Sequence, residues 1–184
     1  MTLTLLTSNK NKIAEFQRFG LPVEAKKGKD IKEVLGTAQE VITYKTLEVE
    51  SGCIVEDTIL TINGEDVVDI RYRLDNINKY AGMPAVWRVS LGVVIDGNLH
   101  ISHGEIEGSM TIPKKDDNAG FGFDPYFIPS KNNPNNHSLS MLESLGTKDE
   151  YSARKKAVLS LINGKCTITP TQTIPKWSGG YQDE

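Results

Sequence analysis

The chain has 184 residues, a formal net charge of −3 and a pI of about 5.7; 38% of its residues are hydrophobic and 24% charged. That length suits one compact domain, or one domain with a small lobe, and can bury a real core. No basic field invites bulk nucleic acid or an anionic membrane, although a local cluster of Lys and Arg can still serve a small anion. Cys53 and Cys166 make neither a metal spacing nor a disulfide framework. No signal-peptide layout opens the chain and no apolar run is long enough to span a bilayer, so a reducing cytoplasm is the expected compartment.

Thr2 to Thr7 reads as a short strand, and Ser8-Asn9 as a turn and helix N-cap. The helix that follows carries Ile13, Phe16 and Phe19 on one face and ends at Gly20, with Pro22 beyond. A strand–loop–helix junction offers free backbone N–H groups and the positive end of a helix dipole, which suit a phosphate. Lys10 and Lys12 fall in the first turn, where cations are slightly unfavourable unless an anion neutralises them. The bland alternative is two ordinary surface lysines.

Val23 to Glu33 is a polar connection with room for a short edge strand. Thr37-Ala38-Gln39-Glu40 fits a capping box, and a helix is expected from there to about Ser51, stopped by Gly52. Cys53 to Leu60 then reads as a buried strand with adjacent carboxylates, Glu56 and Asp57, in its middle. Neighbours on a strand point to opposite faces, so the two acids cannot share one job: one can face a cleft while the other is held in the interior. The competing reading is a strand end with both acids hydrated.

Asp66 to Tyr80 is helical by period, with Val67, Ile70, Leu74 and Ile77 on one face and Gly82 and Pro84 as stop signals. Ala85 to Ile95 and Asn98 to Ile112 read as two strands of a hairpin turning at Asp96-Gly97, with Gly104 and Gly108 as candidate bulges. His100 and His103, three apart on that strand, face opposite sides and make a poor metal pair; with His137 they read as structural or exposed. The loop from Pro113 to Pro129 holds Phe121-Gly122-Phe123-Asp124-Pro125. Aromatic rings on a glycine-freed loop can stack on a planar base, or can simply fold into the core. Asn132 to Asn136 is a polar turn. Asp149 to Asn163 is the last expected helix, with acids in its first turn, Val158, Leu161 and Ile162 on its buried side, and Gly164 as its stop. Residues 165–184 read as an extra strand or a loosely held tail. Early alternation of strands and helices, then a long hairpin, argues a mixed α/β domain around a twisted, curved sheet.

Four separated stretches resemble one family, the inosine triphosphate pyrophosphatases. Thr7-Ser8-Asn9-Lys10-Asn11-Lys12 resembles its N-terminal phosphate loop, and Val55-Glu56-Asp57-Thr58 its acidic strand. Phe121 to Pro125 resembles its F-G-[FYW]-D-P loop, and Ser152-Ala153-Arg154-Lys155-Lys156-Ala157 its S-H-R-x-x-A helix. Each motif alone is weak; four in order over residues 2–163 are specific. The resemblance implies an α/β fold with an elongated, curved mixed sheet flanked by helices, in two lobes with a central nucleotide cleft, in a homodimer. It places the pyrophosphatase domain at residues 1–164, with 165–184 as the tail. The implied activity is Mg²⁺-dependent hydrolysis of inosine, xanthosine or deoxyinosine triphosphate to the monophosphate and pyrophosphate.

Carried over by position, Lys12 holds phosphate with the loop Thr7, Ser8, Asn9, and Lys45 reaches the phosphates from the second helix. Glu33 and Asp57 bind Mg²⁺; Asp57 also positions or deprotonates the water, with Lys12 beside it as the other catalytic residue. Glu56 is the supporting neighbour and Thr58, next on the strand, contacts the substrate. Phe121 stacks on the base, Gly122, Phe123 and Asp124 shape its pocket, and Lys148, Ser152 and Arg154 contact the nucleotide. Mg²⁺ on carboxylate oxygens, together with lysines, supplies the charge neutralisation such a reaction needs. A guanidinium near a purine 6-oxo group favours inosine or xanthosine over adenosine.

Three departures fall largely on the base-recognition side. Ala153 stands where the family has His, Ser140 where it usually has an acid, and the G-x-P-G-x-Y segment is absent, with Arg71 and Arg73 as candidate replacements for a basic residue there. The competing functions are the same chemistry on another base, and a nucleotide-binding regulatory protein without turnover. The missing G-x-x-x-x-G-K-[ST] argues against a P-loop enzyme.

Overall fold

A computed structural model describes residues 2–28, 30–67, 78–115 and 122–182. Among them are four α-helices and eight strands of one open, mixed sheet. The strand order is β2-β1-β3-β5-β6-β7, with β4 added to β3 and β8 added to β6. The chain divides into two compact units: residues 1–57, 89–104 and 154–184 form the first, and 58–88 and 105–153 the second.

In the first unit, β1 (Leu3–Leu6) is followed by α1 (Lys10–Arg18) and β2 (Val23–Lys26), which lies parallel to β1. The Asn9 side chain caps α1 by accepting from the Asn11 amide, satisfying one orphan donor of the first turn. Phe16 and Phe19 are buried; so is Glu15 beside them. Helix α2 (Ala38–Leu47) opens on the expected capping box, Thr37 with Glu40, but ends short of Ser51. The chain turns at Gly52 (φ 80°), whose amide donates to the Val94 carbonyl, and this bond draws the backbone out of the helix and into β3. Strand β3 (Cys53–Ile62) runs parallel to β1. Ile42 of α2, Val55 of β3 and Leu99 and Ile101 of β6 (Asn98–Met110) form one buried cluster. Strand β5 (Pro84–Ile95) joins β6 through Asp96 (φ 50°) and Gly97 (φ 75°), the two left-handed residues that a tight hairpin turn needs.

The last helix, α4 (Ala153–Ile162), begins later than the expected Asp149. Ser152 is extended (φ −98°, ψ 118°) and closes a separate 3-10 turn, Lys148–Tyr151, which carries the acids Asp149 and Glu150. The buried face of α4 is Ala153, Arg154, Ala157 and Val158, whereas Ile162 is 44% exposed. The reason is Arg154: its partners lie in the interior, and drawing it inward rotates Ile162 out.

In the second unit, Asp66 and Val67 are not helical. They belong to β4 (Glu65–Val67), which pairs antiparallel with β3 through a turn at Asn63 (φ 51°) and Gly64 (φ 83°). Asn-Gly is a strong hairpin signal, and it outweighs the helical period that begins at Val67. Of the rest of that expected helix, residues 68–77 with Arg71 and Arg73 lie outside the described residues, and 78–80 form a 3-10 turn rather than an α-helix. Toward β7 (Phe127–Pro129), register runs unbroken from Gly108↔Pro129 to Met110↔Phe127, with no bulge at Gly108 on that side. Gly108 serves close approach instead, since a Cβ there would lie 2.3 Å from the Ile128 carbonyl oxygen. A short helix that the sequence reading missed, α3 (Leu139–Ser144), is capped by Ser138 and buries Leu139, Ser140 and Leu142.

Candidate active site

In the first unit, a charged centre forms around the middle of β3. Alternation along the strand sends its two acids to different partners. The Glu56 carboxylate receives Nε and Nη2 of Arg154 at 2.6 and 2.9 Å, and Lys12 Nζ lies 3.2 Å away. Arg154 also donates through Nη1 to Glu15 of α1. Burial by itself would raise the Glu56 carboxyl, but the Arg154 guanidinium and the Lys12 ammonium outweigh it and hold the carboxyl at about 2, well below its ordinary 4.5. Burial likewise disfavours the Arg154 charge, and Glu56 and then Glu15 overcome it, raising the guanidinium above its usual range.

Lys12 is 30% exposed at its side chain, whereas Glu56 is 3% exposed. The cation that opens α1 against its dipole has therefore found an internal anion in Glu56, while part of its surface remains open to solvent. The Thr7–Asn9 loop is locally ordered: the Asn9 amide donates to Thr7 Oγ1 at 3.1 Å, and Ser8 is exposed at its tip.

Asp57 is associated with α2. Lys45 Nζ donates to Glu33 Oε1 at 2.9 Å and to the Glu56 carbonyl at 3.1 Å, and lies 3.9 Å from Asp57 Oδ1. Glu33 and Asp57, far apart in sequence, thus converge on one cationic point. Among the described residues no group of three or more His, Cys, Asp or Glu gathers as a metal cage. Two hard carboxylates at one point suit Mg²⁺ well, because Mg²⁺ usually takes one or two carboxylates and fills its remaining positions with water and phosphate oxygens.

In the second unit, Asp124 opens a 3-10 turn with Pro125, and Lys148 donates to its carboxylate at 2.6 Å; both side chains are buried. Phe123 is a core ring, edge-on to Trp87 at 5.6 Å and to Phe127 at 6.1 Å. Gly122 adopts φ 65°. Phe121 lies outside the described residues. Ser152 and Ala153 are buried, and Thr58 is half-buried on β3. The three histidines are engaged or peripheral: His103 bonds Ser90 Oγ at 2.8 Å and Gln39 at 3.0 Å, and His100 Nδ1 lies 3.8 Å from the Cys166 thiol.

Two groups escaped the sequence reading. Glu15 lies one turn before Phe19 (i, i+4) on the buried arc of α1, and that placement was its signal: a buried acid requires a cation. Trp87 left no signal. Its indole N–H is buried and has no hydrogen-bond partner among the described residues.

The fold and this centre define a class: a mixed α/β protein in which lysines and carboxylates converge where parallel strands give way to helices. The Ham1 family model matches residues 3–164, and the chain belongs to the Ham1 family, a family of nucleoside triphosphate pyrophosphatases. No curated protein matches the chain. No helix among the described residues is long and apolar enough to cross a membrane.

Proposed function

We propose that this protein is a Mg²⁺-dependent pyrophosphohydrolase of deaminated purine nucleotides, converting inosine, xanthosine or deoxyinosine triphosphate to the monophosphate and pyrophosphate. The observation that carries the reading is the convergence of Glu33 and Asp57 on Lys45. A triphosphate needs cations for its oxygens, and Lys12 and Lys45 are the partly exposed ones in this centre. Glu33 and Asp57 would hold Mg²⁺, which when bound would neutralise phosphate charge and polarise the phosphoryl oxygens. Asp57 orients the attacking water and accepts its proton. Glu56, ionised and clamped by Arg154, holds Lys12 in place.

Phe121 is assigned to stacking on the base, and Gly122, Phe123, Asp124, Lys148, Ser152 and Arg154 to shaping and contacting the nucleotide around it. The chain is further assigned to a homodimer and to the cytoplasm, with neither nucleic acid nor membrane as a partner. A second reading has its own support: Ala153, fully buried, offers no donor where the family presents His. The same hydrolysis would then run on a different base.

Pyrophosphate release with Mg²⁺, measured on the ribo- and deoxyribo-triphosphates of inosine, xanthosine, adenosine, guanosine, uridine and cytidine, separates these readings. Preference for inosine and xanthosine supports the first. Preference for another base supports the second, and binding without cleavage of any nucleotide overturns both.

A further inference from the structure

Residues 165–182 lie beyond the family match, yet they are fastened at three places. Strand β8 (Thr167–Pro170) pairs antiparallel with Asn98–Ile101 of β6, and the Thr171 amide and hydroxyl both donate to the Gly97 carbonyl at 3.0 Å. Next, the chain crosses α2. Ile174 packs on the Ile42–Val55–Leu99–Ile101 cluster, and the Tyr44 hydroxyl donates to the Pro175 carbonyl at 2.7 Å. The Trp177 ring lies 5.1 Å from the Tyr44 ring, and its indole N–H donates to the Gly180 carbonyl at 2.9 Å. Finally the chain runs along residues 33–35. The Leu35 amide donates to Gly180 O and the Gln182 amide to Glu33 O, both at 2.9 Å, and Gln182 Nε2 donates to Val34 O at 3.1 Å.

The last two fastenings fall on two of the elements that build the phosphate-side centre, α2 and the stretch that carries Glu33. Tyr44 is the neighbour of Lys45 on α2. Glu33 lies in an irregular stretch whose only strand-like pairing among the described residues is the bridge Val34↔Tyr181 to the C-terminal segment. A carboxylate on irregular backbone must be ordered by something, because fixing its backbone costs conformational entropy. Here the C-terminal segment supplies that order and links the Glu33 backbone to the helix that carries Lys45.

We propose that residues 174–182 are a positioning strap that sets Glu33 against Lys45 and Asp57, and so tunes divalent-cation and phosphate binding. The proposal rests on reading that centre as a metal and phosphate site. Trp177 is its pin. Gly36 and Gly179 are both in close contact with the ring: a Cβ on Gly179 would lie 2.6 Å from Trp177 Cζ2, and one on Gly36 would lie 3.2 Å from Cη2. Trp177, Gly179 and Tyr44 touch no reacting group; they act through Glu33 and Lys45.

The test uses the full-length chain and the variants Trp177→Ala, Gly179→Ala, Tyr44→Phe and Trp177→Phe. Mn²⁺ binding is followed alone by electron paramagnetic resonance. Half-maximal Mg²⁺ for pyrophosphate release, kcat and KM are measured beside Tm. The expected result is about tenfold weaker Mn²⁺ binding, and a matching rise in half-maximal Mg²⁺, for Trp177→Ala and Gly179→Ala, as for loss of an outer group that orients a metal ligand. At saturating Mg²⁺ kcat should largely recover. Tyr44→Phe, which deletes one hydroxyl, should shift in the same direction by less, and Trp177→Phe should restore most of the affinity. A lowered Tm with unchanged Mn²⁺ affinity and Mg²⁺ dependence overturns the strap and leaves the centre's reading standing. Wild-type protein that binds no Mn²⁺ overturns that reading, and the strap falls with it.

Discussion

Arg154 grips both carboxylate oxygens of Glu56, with Nε 2.6 Å from Oε2 and Nη2 2.9 Å from Oε1. The pair joins α4 to β3 across 98 residues of sequence. A bidentate guanidinium–carboxylate contact fixes orientation as well as distance. It therefore fixes Glu56 as an anchor for Lys12, and it turns α4 so that Arg154 faces inward.

The anchor has a pH signature. Glu56 is held at about 2 against an ordinary 4.5. A carboxyl with a lowered folded-state pKa stabilises the fold above its ordinary value and loses that contribution as pH falls through the folded value. The stabilisation, on the order of 3 kcal/mol, should be present at pH 7 and disappear between roughly pH 5 and pH 2. Glu56→Gln should lose about 3–5 kcal/mol at pH 7, because Arg154 and Lys12 are left without their shared counter-charge. Urea unfolding of wild type and variant across that range checks both, with the difference shrinking toward pH 2.

Asp57→Asn should spare the fold and stop the reaction. The side chain keeps its size, and its cationic neighbour, Lys45, lies 3.9 Å away with Glu33 as a closer partner. Loss of a general base costs about 10²–10⁴-fold in kcat. Pyrophosphate release and Tm, measured together, give the answer; turnover near wild type would remove Asp57 from the chemistry.

Lys148 and Asp124 form a buried pair at 2.6 Å in the second unit. Removing either partner alone, as Lys148→Met or Asp124→Asn, should cost about 3–5 kcal/mol, because a buried charge loses its nearest counter-ion. The double variant should recover part of that loss. A denaturation double-mutant cycle measures the coupling, and a coupling near zero would mean that the pair does not hold the Asp-Pro turn.

Phe121→Ala should weaken nucleotide binding by roughly 1–3 kcal/mol if the ring stacks on a base. Calorimetric titration with a non-hydrolysable inosine nucleotide reads this directly. An unchanged affinity would assign Phe121 to packing, the fate already seen for Phe123, whose ring is buried between Trp87 and Phe127.

Much of the architecture was legible because local chemistry dictates it. The Asn9 cap, the Thr37–Glu40 capping box, the Asp96-Gly97 turn and the alternation along β3 each depend on residues a few positions apart. The misread elements are those in which two local signals compete. At Asp66 and Val67 the Asn63-Gly64 turn prevailed over a helical period, and at Asp149 the extended Ser152 separated a 3-10 turn from α4. Of the candidate site, the sequence singled out Lys12, Glu33, Lys45, Asp57 and Arg154, but it gave Glu56 only a supporting role and passed over Glu15.

What the sequence determined by itself is most of the elements, the family and the chemical types available to it. Caps, turns and periodicities act over a few residues, and the four motifs can be read without coordinates. What only the tertiary structure decided is which charges meet: that Arg154 is bound to Glu56 and Glu15, that Lys45 joins Glu33 to Asp57, and that the C-terminal segment returns to fasten the backbone of Glu33. Those pairings span from 12 to more than a hundred residues. They are selected by the cost of burying an uncompensated charge, and that cost exists only once the strands and helices have packed.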